Sequence, residues 1–156
     1  MRTTLGLPRT DAAAFVSRRV GRRLLERTLR HWEGHGLLTP LKPPLGGRGR
    51  FRPTLYRVPD LLAAEVLATL RIEGASLQRV RAAFHTLSEL FPDVLAMPGE
   101  WRLAVTLSGD VVRFHRCTTD AELVSLVKRP GQLAVFNVGT LAREARAAVR
   151  EKTRAA

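Results

Sequence analysis

Glu26-Arg27-Thr28-Leu29-Arg30-His31-Trp32-Glu33, closed by Gly34 and Gly36 and followed by Leu37-Leu38-Thr39-Pro40, decides how this chain is read. Leu25, Leu29 and Trp32 recur at i, i+4 and i+7, which is one apolar stripe of a helix. Arg27, Arg30 and His31 fall off that stripe and point outward. The two glycines end the helix.

The flanking segments extend the pattern. Met1 to Arg9 is short and polar and reads as a loosely held terminus. Asp11 to Leu25, rich in alanine and arginine, reads as a helix preceding the first. Thr39 to Pro53 holds Pro40, Pro43, Pro44 and Pro53, three glycines and four basic residues, so no helix survives there. It reads as an irregular basic loop or β-ribbon. Arg48, Arg50 and Arg52 alternate with Gly49 and Phe51, a period that sets all three arginines on one side of an extended segment.

Charge points the same way. The 156 residues carry 26 Lys+Arg against 14 Asp+Glu, a net +12. Met1 to Arg57 holds 13 basic and 3 acidic residues, +10, while Val58 to Ala156 holds 13 and 11, only +2. Arginine-rich coding does not explain that segregation; a polyanion bound by the first third does. No apolar run reaches the roughly 18 residues of a membrane span, and no secretory h-region is present, so a cytoplasmic protein without membrane contact is expected. One cysteine, Cys117, excludes a disulfide framework and a multi-cysteine metal site.

Downstream, Pro59-Asp60 opens a helix with the buried stripe Leu62, Val66, Leu67 and Leu70, ended by Gly74. Ser76 caps the next, in which Leu77, Val80, Phe84, Leu87 and Phe91 form the stripe before Pro92 stops it. Trp101, Leu103, Val105 and Leu107 alternate as a half-buried strand, and Gly109-Asp110 turns it into Val111 to His115. Leu123 to Val127 and Leu133 to Phe136 flank Pro130-Gly131 and read as a second hairpin. Thr140 is the expected cap of a last helix reaching about Arg154, with Leu141, Ala145 and Val149 on one face. The fold class expected is α+β. It comprises a mainly helical domain over 10–92, then a small region over 99–156 of two β-hairpins and a terminal helix.

Taken in order, these residues resemble a known family. Arg27 to Glu33 with Gly36-Leu37-Leu38-Thr39-Pro40 is similar to the recognition helix and exit of MerR-type transcriptional regulators. Leu55-Tyr56 with Asp60-Leu61 looks like that family's wing exit and third helix. Leu70-Arg71, Gly74-Ala75-Ser76-Leu77 and Val80-Arg81 resemble its closing signature. The resemblance covers roughly Phe15 to Leu87. It implies a winged helix-turn-helix that binds duplex DNA as a homodimer on a partly palindromic site. The family's long coiled-coil helix is not evident, since Pro92 interrupts the chain where it would run, so residues 99–156 are the expected dimer contact. That region is also where an effector of unknown identity, small molecule or protein, would act.

The residues support the same reading on chemical grounds. A helix presenting Arg27, Thr28, Arg30 and His31 suits the major groove, where arginine reads guanine and threonine meets thymine methyls. Arg48, Arg50 and Arg52 on a wing, with Arg57 at its exit, suit phosphates or a narrow minor groove. Catalytic chemistry finds no support. His31 and His35 stand four apart, but the second lies past the helix end, and Gly46-Gly47-Arg48-Gly49 lacks the strand and helix that a phosphate loop needs. No enzyme activity, metal or cofactor is expected. Two alternatives stand beside the regulator: an excisionase-like architectural factor, and an antitoxin or adaptor whose C-terminal region covers a protein partner.

Overall fold

The computed structural model describes residues 6–42, 54–90, 102–108, 111–128 and 131–155; side chains of 83 and 86–90 are outside the description. The element order is β1 (Leu7–Pro8), α1 (Arg9–Val20), α2 (Glu26–Gly34), β2 (Leu55–Tyr56), α3 (Val58–Ile72) and α4 (Leu77–Leu90). It continues with β3 (Arg102–Ser108), β4 (Val111–Cys117), α5 (Asp120–Val127), β5 (Gln132–Asn137) and α6 (Val138–Ala155). The chain is α+β, as its patterning indicates. It divides into two compact units, residues 1–65 with 144–156, and residues 66–143. The expected boundary at Pro92 to Glu100 lies outside the described residues.

In the first unit, α1 and α2 enclose Phe15, Val16, Leu29 and Trp32, all buried, with Leu37, Leu38 and Tyr56 also buried there. The N-terminal segment is not loose from Gly6 onward. Leu7 and Pro8 pair antiparallel with Tyr56 and Leu55, and Leu7 is buried. Gly6 passes so close to the Tyr56 carbonyl that a Cβ there would lie 2.4 Å from its oxygen. The first helix is also shorter than its composition suggests. It stops at Val20, because Gly21 takes the left-handed conformation (φ 70°) and closes the helix with a hydrogen bond to the Ser17 carbonyl. Residues 21–25 are the turn, not helix.

α3 begins with a capping contact: the Asp60 carboxylate accepts the Arg57 backbone N–H at 2.8 Å. Its predicted stripe of Leu62, Val66, Leu67 and Leu70 is buried throughout. In the second unit, Gly74 (φ 91°) ends α3 while the Ala75 N–H reaches back to the Leu70 carbonyl at 3.0 Å. Ser76 then accepts from the Arg79 N–H, capping α4 as expected.

The sheet of the second unit runs in the order β4-β3-β5, antiparallel throughout. The hairpin register pairs Ser108 with Val111, as a two-residue connection requires; Gly109, Asp110, Trp101 and Pro130 themselves lie outside the described residues. Phe114 of β4 meets Phe84 of α4 edge-on at 5.6 Å, and Leu103 and Val105 are buried on that same face. On the other face Ala104 and Cys117 pack with Leu126, flanked by Leu123 and Leu133.

The second hairpin is not formed. Leu123 to Val127 is helical, and β5 pairs with β3 instead. The Thr119 hydroxyl accepts the Glu122 N–H at 3.3 Å, and the Glu122 carboxylate accepts the Thr118 N–H at 2.9 Å. Thr119-x-x-Glu122 is thus a capping box, and it starts α5 before the apolar run that looked like a strand. The last helix likewise starts earlier than expected. Asn137 rather than Thr140 caps α6, accepting the Thr140 N–H at 3.1 Å.

Candidate nucleic-acid interface

α1 and α2 are joined by a turn that one serine organises. Ser17 Oγ accepts the Leu24 N–H at 2.8 Å while donating to the Ala13 carbonyl at 2.6 Å. The end of α1 is thereby tied to the entry of α2, and Thr10 adds a hydrogen bond to Glu26 at the start of α2. At the far end Gly36 (φ 72°) lets the Leu37 N–H return to the Trp32 carbonyl at 3.0 Å. α1 and α2 are thus consecutive helices joined by the turn at residues 21–25, the second of them amphipathic.

α2 sorts its side chains by sign. Leu29 and Trp32 are buried, whereas Arg27, Arg30 and His31 are exposed and share roughly 100° of the helix circumference. Thr28 sits at the flank of that arc, half-buried beside the Trp32 edge of the stripe. Among the described residues neither Arg27 nor Arg30 has an ion-pair partner, so both guanidinium groups face solvent. The two carboxylates of α2 are already engaged, Glu26 by Thr10 and Glu33 by Arg9 and Tyr56. Cations are thus presented outward and the anions are held internally.

Glu33 forms the tightest polar cluster of this unit. Arg9 Nη2 lies 3.1 Å from each of its oxygens, and the Tyr56 hydroxyl donates to the same carboxylate. Burial and the Glu33 hydrogen bond both push the Tyr56 phenol above its ordinary pKa, so it stays protonated and a donor. For Arg9, burial opposes the charge, but the bonds to Tyr56 and Glu33 outweigh it and hold the guanidinium above its ordinary value. α2 is therefore bolted at its last turn to β2 and to the start of α1.

Sequence patterning did not single out three further exposed cations. Arg18, Arg22 and Arg23 are exposed on either side of Gly21. The doublets Arg18-Arg19 and Arg22-Arg23 were the available signal. Arg19 behaves differently: its Nε lies 2.7 Å from Glu65, and it also pairs with Glu144. Burial raises the Glu65 carboxyl above its ordinary pKa, with Arg19 opposing.

Leu41 and Leu55 exchange both backbone hydrogen bonds at 2.9 Å, so the two ends of the intervening segment lie side by side. Arg48, Arg50 and Arg52 fall between those points, outside the described residues. Arg57 follows β2 and is partly committed: its guanidinium donates to the Thr39 carbonyl at 3.0 Å and to Asp60 at 3.1 Å. It pins the exit of the basic segment to its entry, with 44% of its side chain still open to solvent.

The His31 and His35 rings meet edge-to-face at 4.4 Å, and among the described residues no three His, Cys, Asp or Glu side chains gather where they could hold a metal. Cys117 is buried at the end of β4, its thiol pushed up in pKa by burial and by Glu122. Among the described residues no helix is long and apolar enough to cross a membrane. Compared with known protein families and with curated proteins, the chain matches none.

Proposed function

We propose that this chain is a sequence-reading, duplex-DNA-binding transcriptional regulator of the winged-helix kind, with α2 as the reading helix. One observation carries the reading: Arg27, Arg30 and His31 stand on the solvent face of a helix whose two carboxylates are bonded internally. A helix of this width enters the major groove, where a forked guanidinium pairs with the O6 and N7 of guanine. The bridge between Leu41 and Leu55 is the base of a wing, and Arg48, Arg50 and Arg52 supply it with phosphate contacts. Arg22 and Arg23, exposed in the turn that leads into α2, add backbone contacts. The order of motifs shared with MerR-type regulators gives the same assignment.

In this account two copies read a partly palindromic site in the cytoplasm, and the second unit serves dimerisation or an effector. The chain acts by binding and performs no catalysis. The test is binding of the full chain to duplex DNA at rising salt. About five to eight phosphate contacts per dimer give a slope of log K on log salt of roughly −4 to −7. A slope near zero, or tighter binding to single strands, overturns the proposal.

A further inference from the structure

Among the described residues the sheet of the second unit has two edge strands that differ in kind. β4, on one edge, carries Arg113 and Arg116, both exposed, and charged side chains are the usual guard against edge-to-edge pairing. β5, on the other, reads Gln132-Leu133-Ala134-Val135-Phe136-Asn137, with no charge, no proline and no glycine. An unguarded edge of this composition is a template for another strand.

The sheet face above that edge is also incompletely covered. Register places His115, Ala104 and Val135 in one row across β4, β3 and β5. α5 covers the middle of the row, since its Leu126 packs on Ala104. Yet Val135, one strand further out, is 46% exposed. Val124 and Val127 of α5, which lies on this same face, are 53% and 65% exposed. The large apolar side chains exposed among the described residues (Ile72, Val111, Val124, Val127, Val135) all belong to this unit. The cover therefore stops short of the β5 edge.

We infer that β5 pairs antiparallel with β5 of a second copy of this chain, joining two three-stranded sheets into one of six strands. A two-fold axis normal to the sheet keeps the faces continuous, so both copies of α5 lie on one side. With the axis at Ala134 or Val135, no charged side chain of either strand meets a like charge, because neither strand has one. The same operation on β4 would crowd Arg113 and Arg116 of both copies together. A second copy is preferred to a foreign peptide because an uncharged strand presenting exposed Val135 on one face complements itself about the axis.

The inference concerns the sheet alone and is tested without DNA. Sedimentation of the full chain should give about twice the 17.3 kDa of one copy. Val135→Lys sets a lysine on each side of the axis and should weaken dimerisation by on the order of 100-fold at unchanged far-ultraviolet circular dichroism. Arg113→Glu, on the guarded edge, should leave the mass unchanged. Hydrogen exchange on the unsubstituted chain needs no variant to fold: outward amides of β5 should lose protection on dilution, and those of β4 should not. A monomer at high concentration, a Val135→Lys chain that dimerises as tightly, or β5 exchange independent of concentration overturns the inference.

Discussion

Arg9 holds Glu33 by placing Nη2 3.1 Å from both of its carboxylate oxygens, joining the first residue of α1 to the last turn of α2. The pair spans 24 positions of sequence, and Tyr56 donates to the same carboxylate from a third element. A partly buried carboxylate with a charge-assisted and a phenolic donor ties the last turn of α2 to α1 and to β2.

Glu33→Ala leaves Arg9 and the buried Tyr56 hydroxyl without their acceptor. It should lower unfolding stability by about 1 to 3 kcal/mol. Tyr56→Phe removes one donor and leaves the ion pair, so it should cost less than Glu33→Ala. Urea titration at neutral pH orders the two, and a Tyr56→Phe loss as large as that of Glu33→Ala would show that the carboxylate is not the hub.

How much of this was legible beforehand depends on the range of the interaction involved. The stripes through Leu29 and Trp32, and through Leu62, Val66, Leu67 and Leu70, are local periodicities, and burial follows them. The break at Gly21 does not stand out because helix-forming alanine and arginine precede it and arginine and leucine follow it, yet the glycine decides the boundary. Leu123 to Val127 looked like a strand because a short apolar run has no period of its own. The Thr119-x-x-Glu122 box settled it, its cap four residues upstream of Leu123, where the run begins to look apolar. At the interface, the outward set Arg27, Arg30 and His31 was readable from helix phase. The Arg9–Glu33–Tyr56 cluster was not, since it depends on strands β1 and β2 coming together.

The two arginine groups should separate in binding assays. Arg27→Ala or Arg30→Ala should cost on the order of 1 to 3 kcal/mol and change which bases are preferred. Arg50→Ala or Arg52→Ala should weaken all sequences about equally and reduce the salt slope by about one. A uniform loss from all four would show that α2 does not read bases.

Gly6 tests whether the N-terminal segment belongs to the fold. A methyl there meets the Tyr56 carbonyl oxygen at 2.4 Å and the Arg57 backbone nitrogen at 3.0 Å, both backbone atoms that cannot swing aside. Gly6→Ala should destabilise the chain by about 2 to 3 kcal/mol, in the range of overpacked sites. A melting temperature unchanged by this substitution would return residues 6–9 to a loose terminus.

Glu65 should make stability depend on pH in a defined direction. Burial raises its carboxyl pKa in the folded state, so the folded chain binds this proton more tightly than the unfolded one. Its contribution is complete below the unfolded pKa and is lost as pH rises through the folded value. Glu65→Gln, which mimics the protonated form, should therefore gain on the unsubstituted chain as pH rises from the ordinary carboxylate range towards neutrality. Denaturation curves at several pH values check the sign; a difference that is flat, or that moves the other way, contradicts it.

The central claim is that α2 reads duplex sequence, and selection of bound molecules from random duplex DNA tests it most directly. The account predicts an enriched motif of two inverted half-sites, containing guanines whose preference relaxes when the selection is repeated with Arg30→Ala. Enrichment of no motif, or of one that Arg27→Ala and Arg30→Ala leave unchanged, would contradict it.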